Sequence, residues 1–215
     1  MTTPQNEAYA ARYKYDQNNE AIEYYKRDLK KHLAELRLID RAFALVPKQH
    51  RVLDLPCGGG RLCIHLGQQG YQMSGADLSE AMRNLARKNI AASQLPCTIE
   101  SQDIERLTYD AQLFDTIVCF RLFHHFPNKE IRKKAVTELC RVAKHMVVVS
   151  YFSPYSWTSL MRLFKRMGGK HIPRYSTPLS ELQSYFNACG FQLKQDFAQL
   201  PLIHTLHVAV FECIS

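Results

Sequence analysis

A short apolar run, Val52-Leu53-Asp54-Leu55, ends in a carboxylate and empties into Pro56-Cys57-Gly58-Gly59-Gly60-Arg61. Such a run reads as a buried parallel strand feeding a tight loop and a helix. Glycines there let the backbone approach a ligand lying across the strand ends, so the implied chemistry is the binding of a nucleotide-like cofactor. Charge narrows the choice. In the dinucleotide fingerprint G-x-G-x-x-G, a helix N-terminus is presented to a pyrophosphate. Gly58 and Gly60 fit the first two places, but Cys63 holds the third. Asp54 would also set a carboxylate beside a doubly anionic group, a repulsion enlarged in a low-dielectric cleft. A cationic ligand suits the loop better, with a nicotinamide dinucleotide as the competing reading.

S-adenosyl-L-methionine (SAM) has no phosphate and carries an ammonium and a sulfonium. With this loop the chain resembles the class I SAM-dependent methyltransferases, whose first motif runs roughly D-x-G-x-G-x-G. Asp54, Gly58 and Gly60 match it, while Pro56, with no N–H and a fixed φ, stands where the first glycine is usual. Further features follow in the family's order. Tyr71-Gln72-Met73-Ser74-Gly75-Ala76-Asp77 reads as a second strand whose terminal acid can chelate a ribose diol. Cys97 to Ser101 reads as a third strand, followed by Asp103 and Ile104, which the resemblance assigns to the adenine amine and the ring face. The resemblance also places Cys57 and Leu78 among the cofactor contacts. Phe114 to Phe126 looks like the fourth strand and its active-site exit, written F-D-x-V-x-x-x-x-x-x-H-H in the family, and the likeness spans roughly residues 50 to 151.

Methyl transfer from a sulfonium is an in-line displacement, so a protein mainly aligns the acceptor and excludes water. A hydroxyl or carbon acid must still lose a proton, which suits a histidine near neutral pKa. His124 and His125, at the exit of the fourth strand, are the candidates for that base, with packing beneath the site as the other reading of the pair. Arg121 would orient an acidic acceptor, or pair with Asp77 or the cofactor carboxylate. No metal is implied: the seven cysteines are odd in number, lack C-x-x-C pairing, and several, such as Cys119 and Cys213, sit inside apolar runs.

These residues need elements to hold them. From about residue 51, strand-like and helix-like runs alternate, which argues for α/β architecture with a parallel sheet and helices on both faces. The resemblance makes this a Rossmann-like, seven-stranded, mostly parallel sheet whose antiparallel last strand forms a hairpin with its neighbour. Ile22, Tyr25, Leu29, Leu33, Leu36, Ile39 and Phe43 recur at helical spacing, predicting an amphipathic helix from Asn18 to about Val46 that covers the sheet. Ahead of it, Tyr9, Arg12, Tyr13 and Tyr15 read either as lid residues or as a solvated arm. Ser79 and Asn128 are placed to cap helices, and a further helix should stop at Gly190. The 215 residues, 46% of them hydrophobic, are read as one domain: helical cap 1–47, SAM-binding core 48–151, basic insertion 152–176, and helix with hairpin 177–215.

The formal charge of +8 is unevenly spread, for residues 129–175 hold eleven Lys or Arg against two Asp or Glu. Within that stretch, Ser156 to Met167 has the pattern of a basic amphipathic helix, and Gly168-Gly169 supplies a hinge. Three readings stay open: a solvated charged face, a lid recognising an anionic group on the substrate, or docking on an anionic membrane surface. Nucleic acid is disfavoured as a partner, since the fourth-strand exit lacks an N/D-P-P-Y-like tetrapeptide. No apolar run is long enough to cross a bilayer and no secretory signal pattern stands at the N-terminus, so a cytoplasmic location is expected. The expected activity is methyl transfer from SAM to a small-molecule or lipid-like, anionic acceptor, broadly like quinone-biosynthesis C-methyltransferases and related O-methyltransferases. Its alternatives are a SAM-binding partner or regulatory protein without methyl transfer, and a nucleic-acid methyltransferase.

Overall fold

The computed structural model describes residues 29–156, 174–199 and 205–214. Within them, β1 (Arg51–Asp54), β2 (Gln72–Asp77), β3 (Thr98–Ser101), β4 (Phe114–Cys119), β5 (Ala143–Phe152), β6 (Phe191–Ala198) and β7 (Leu206–Cys213) form one sheet. Its order is β3-β2-β1-β4-β5-β7-β6. Strands β1 to β5 pair in parallel, and β7 runs antiparallel to both β5 and β6. The antiparallel last strand expected from the resemblance is therefore present, inserted between its two neighbours.

A parallel sheet covered on both faces needs apolar side chains in both directions along each strand. Val52, Val118, Met146, Val148, Val208 and Val210 face one core, while their chain neighbours Leu53, Ile117, Val147, Val149, Ala209 and Phe211 face the other. The first core is closed by α1 (Leu29–Phe43), α2 (Arg61–Gln68) and α3 (Glu80–Ala92). The second is closed by α4 (Lys129–Val142) and α5 (Leu179–Asn187). Ser79 Oγ accepts from the Met82 amide and Asn128 Oδ1 from the Ile131 amide, so the two expected caps close the first turns of α3 and α4. Strand order reverses between β1 and β4, and it is outside the carboxyl ends of the strands at such a reversal that α/β sheets bind ligands.

The apolar stripe read for α1 holds from Leu36 onward and fails at Leu33. Leu36, Leu38, Ile39, Ala42 and Phe43 are buried, whereas Leu33 is 43% exposed and Glu35 only 1%. Glu35 pairs there with two arginines near the strand ends. The tyrosines ahead of the helix, its expected start at Asn18, the basic stretch from 157 to 173, and His204 lie outside the described residues.

Candidate active site

The loop after β1 is tied to the sheet on both sides. Leu55 donates its amide to Val118 O at 2.9 Å, and Cys57 donates to Ala76 O at 2.8 Å. The Leu55–Pro56 peptide bond is cis. Gly58 and Gly60 have φ of 52° and 81°, the left-handed region that favours glycine. Their surroundings differ. A Cβ at Gly60 would lie 3.3 Å from Ala86 and Ile90 of α3, so this glycine lets loop and helix meet closely. A Cβ at Gly58 would meet nothing within 4 Å, so this glycine borders open space.

Asp54 sits beneath the loop, 1% exposed. Cys63 Sγ donates to its Oδ2 at 3.5 Å, and Oδ1 has no hydrogen-bond partner among the described residues. Burial raises its pKa to about 8, against the Cys63 hydrogen bond and the Arg61 charge, which lower it. A buried carboxyl with an oxygen lacking a donor is a site prepared for a cationic or N–H-bearing ligand.

The next acids stand along the same edge. Asp77, at the end of β2, accepts the Gly58 amide on Oδ2 and the Ser79 amide on Oδ1, both at 2.9 Å. It thus joins the glycine loop to the cap of α3. A carboxylate has room for about four donors, and these amides use part of that capacity. Leu78 beside it is 36% exposed, unusual for a leucine at a strand end. Asp103, beyond β3, accepts the Glu105 amide at 3.1 Å, and the neighbouring Ile104 is buried in the second core. The structure therefore brings Cys57, Gly58, Gly60 and Asp77 into one bonded group with Asp54 buried beneath it, and sets Leu78, Asp103 and Ile104 on the loops that extend the same edge.

At the exit of β4 the pairing differs from that expected for Arg121. Its guanidinium bonds Glu35 Oε1 of α1 rather than Asp77, while Arg61 Nη1 bonds Glu35 Oε2 at 2.9 Å and meets His32 Nδ1 at 3.1 Å. Arg121 has a φ of 63°, unusual for a residue with a side chain, and its amide donates to Ser150 Oγ. The result is a largely buried cluster of two guanidiniums and one carboxylate. Glu35 was absent from the sequence reading. An acid on an amphipathic helix reads as solvated, and its partners lie 26 and 86 residues away.

The histidine pair divides into two environments. His124 is 2% exposed, its ring stacked on Phe152 at 4.3 Å and 13°, and its carbonyl accepts the Tyr175 amide. His125 is partly exposed, with its ring 4.1 Å from that of His124. His207 pairs with Asp196 on β6 at 2.8 Å and stands opposite Tyr151 near the carboxyl end of β5. Among the described residues no cluster of three or more His, Cys, Asp or Glu is arranged to hold a metal, and no helix is long and apolar enough to cross a membrane.

Residues 52–146 match the family described as a methyltransferase domain. Together with the sheet order and the glycine loop, this means that the chain carries a class I SAM-dependent methyltransferase domain. Among curated proteins it is 39% identical over 95 residues to the ubiquinone biosynthesis O-methyltransferase of Coxiella burnetii, covering 44% of this chain and 40% of that protein. It is 30% identical over 156 residues to the enzyme of the same name from an Azoarcus species, covering 66% of this chain and 64% of that one. The match thus spans about two fifths of the length of the Coxiella relative. Both relatives bear O-methyltransferase names, one of the two kinds of quinone-biosynthesis enzyme that the resemblance covers. Among solved structures, magnesium protoporphyrin IX methyltransferase from Synechocystis, with bound SAH, superposes with a TM-score of 0.78 at 16% identity, covering 94% of this chain and 97% of that one. That likeness is one of fold.

Proposed function

We propose that this chain binds SAM over the Gly58–Gly60 loop and transfers its methyl group to a small acceptor that carries a negative charge. The observation that carries the cofactor half of this reading is Asp54, a buried carboxyl whose Oδ1 has no partner among the described residues, set beneath a glycine loop that borders open space. In this reading Asp54 and the Cys57-Gly58 backbone hold the charged methionine end. Asp77 takes the ribose diol, Asp103 the adenine amine, and Leu78 and Ile104 the ring. When bound, SAM supplies an electrophilic methyl carbon on a sulfonium centre.

The chain's own part is alignment, exclusion of water and the handling of one proton. His124, stacked and buried, is the packing member of its pair. His125, partly exposed, is the member that takes the acceptor proton. The anionic acceptor is supported by the arginine cluster: among the described residues Arg61 and Arg121 share one carboxylate, which sets two positive charges against one negative in a largely buried place. A carboxylate or phenolate on the acceptor would balance it through charge-assisted hydrogen bonds. Small acceptors also agree with the relatives, whose names place them in ubiquinone biosynthesis and on magnesium protoporphyrin IX.

Titration calorimetry tests the cofactor half. SAM should bind saturably, and Asp77→Ala should weaken it strongly; tight NAD binding with none for SAM would overturn the reading. Labelled-methyl transfer into a cell extract tests the other half, with label expected in a small anionic product. SAM binding with no label transferred to any component would leave a SAM-binding regulatory protein instead.

A further inference from the structure

Helix α3 does more than cover the first core, because its polar side chains reach the backbone of the segments around it. Arg83 Nη1 donates to the carbonyls of Asp77 at 3.0 Å and Leu78 at 2.6 Å, where the chain leaves β2 just before the Ser79 cap. Asn89 Nδ2 donates to Gly59 O at 2.9 Å, and Arg87 Nη2 to Ile99 O of β3 at 3.0 Å. The contacts of Arg83 and Asn89 close a circuit, since the Gly58 amide donates to Asp77 Oδ2. Arg83 is the member placed against expectation. Helical side chains lean toward the N-terminus, so its guanidinium lies back over the first turn, where the helix dipole favours anions over cations. Oxygen atoms gathered at that end make the place favourable to a cation, and the two carbonyls supply them.

We propose that Arg83 is a positioning residue of the cofactor site: it sets the Asp77-Leu78 bend for the ribose, and so decides how much the ribose hydroxyls contribute to SAM binding. The inference rests on the proposed cofactor reading, in which Asp77 takes the diol and Leu78 the adenine ring. Both oxygens of Asp77 are aimed by backbone donors, Oδ1 by the amide of Ser79 two residues on and Oδ2 by that of Gly58. Those bonds fix the carboxylate relative to its own bend and to the glycine loop. The main chain of the bend is fixed by a different set. The Gln102 amide reaches Asp77 O at 3.4 Å, and Arg83 supplies the shorter bonds to Asp77 O and Leu78 O.

A charged donor holds a carbonyl more firmly than a neutral one, and here one nitrogen serves two adjacent carbonyls. Without it, the bend keeps its amide bonds but loses its tie to α3, and the carboxylate moves with the main chain that carries it. The ribose registers that movement first. A hydrogen-bonded diol tolerates little change in distance or angle, whereas the contact of Leu78 with the ring is apolar and non-directional. The methionine end, read at Asp54 and the Cys57-Gly58 backbone, depends on neither carbonyl.

Calorimetry of the full chain with S-adenosyl-L-homocysteine (SAH) and its 2′,3′-dideoxy analogue tests this, with the melting temperature of each variant read alongside. The parent should bind SAH more tightly than the analogue. Arg83→Met keeps the stem and loses the donors; it should weaken SAH about tenfold and leave the analogue within about twofold, so that the two ligands bind almost alike. Arg83→Gln, whose shorter side chain falls short of the carbonyls, gives the same comparison should the Met variant fail to fold. Arg83→Lys, which returns a charged donor on a similar stem, should recover most of the preference for SAH. A merely structural arginine gives another pattern, a lower melting temperature with equal loss for both ligands. That pattern, or an unchanged SAH affinity without the guanidinium, would overturn the proposal while the cofactor reading stands. A parent that binds both ligands alike overturns the assignment of Asp77 to the ribose and the role of Arg83 with it, and a parent that binds neither overturns the cofactor reading as a whole.

Discussion

Asp54 is the residue whose ionisation is most informative, because its burial leaves it mostly protonated at neutral pH. A cationic ligand stabilises the ionised form, so SAM binding at pH 7 should release close to one proton. Calorimetry in buffers of different ionisation enthalpy measures this directly, and Asp54→Asn should abolish the release. The same group links stability to pH. Its unfolded pKa is about 4 and its folded value about 8, so the folded state binds more protons between them. The contribution to stability is full at pH below about 4 and is lost as the pH rises through about 8. Melting temperatures of the free protein from pH 5 to 9 should therefore fall more steeply for the parent than for Asp54→Asn. The histidines are separated by a second measurement. His125→Gln should lower turnover about a hundredfold with little change in melting temperature, whereas His124→Gln should chiefly lower melting temperature through loss of its stacking on Phe152. Normal turnover in His125→Gln would leave alignment as the whole mechanism.

At the scale of elements, α1 and the glycine loop are joined by Arg61, which follows Gly60 and bonds Glu35. Glu35→Gln leaves two guanidiniums facing each other across a neutral amide, and breaking a buried ion pair from one side costs about 3 kcal/mol or more. Urea unfolding should show a loss of that order. In the loop, Gly60→Ala should be destabilising through both φ and its contacts with Ala86 and Ile90, about 1–2 kcal/mol for the backbone alone. Gly58→Ala carries the backbone cost but meets no protein atom, so its mark should be a loss of SAM affinity beyond the loss of stability. What could be read in advance was local. Val52 to Asp54, the glycines, Ser79 and Asn128 signal through period, turn and cap, each within a few residues. Glu35 could not be read that way, since its burial depends on Arg61 and Arg121 reaching it from two other elements.

Over the whole molecule, charge and topology are arranged unevenly. The excess of positive charge lies in residues 129–175, and the reading of its basic stretch as a lid over an anionic acceptor is tested by charge removal. Replacing Arg162, Lys165 and Arg166 together with Gln should raise the KM of an anionic acceptor while SAM affinity stays nearly constant; unchanged kinetics would return the stretch to a solvated face. The sheet carries a different asymmetry. Strand β7 follows β6 in the chain, yet it pairs along Met146–Phe152 of β5 on one side and Phe191–Ala198 of β6 on the other. Five parallel strands and their helices can thus assemble as synthesis proceeds, but β5 and β6 cannot be joined until residues 206–213 emerge from the ribosome. Until then the growing chain presents the open ladder of β5, and unpaired strand edges are what chaperones and aggregation both recognise. A nascent chain halted before Leu206 should accordingly be protease-sensitive around β6 while β1 to β4 are already protected, and release of the final strand should close both edges in one step.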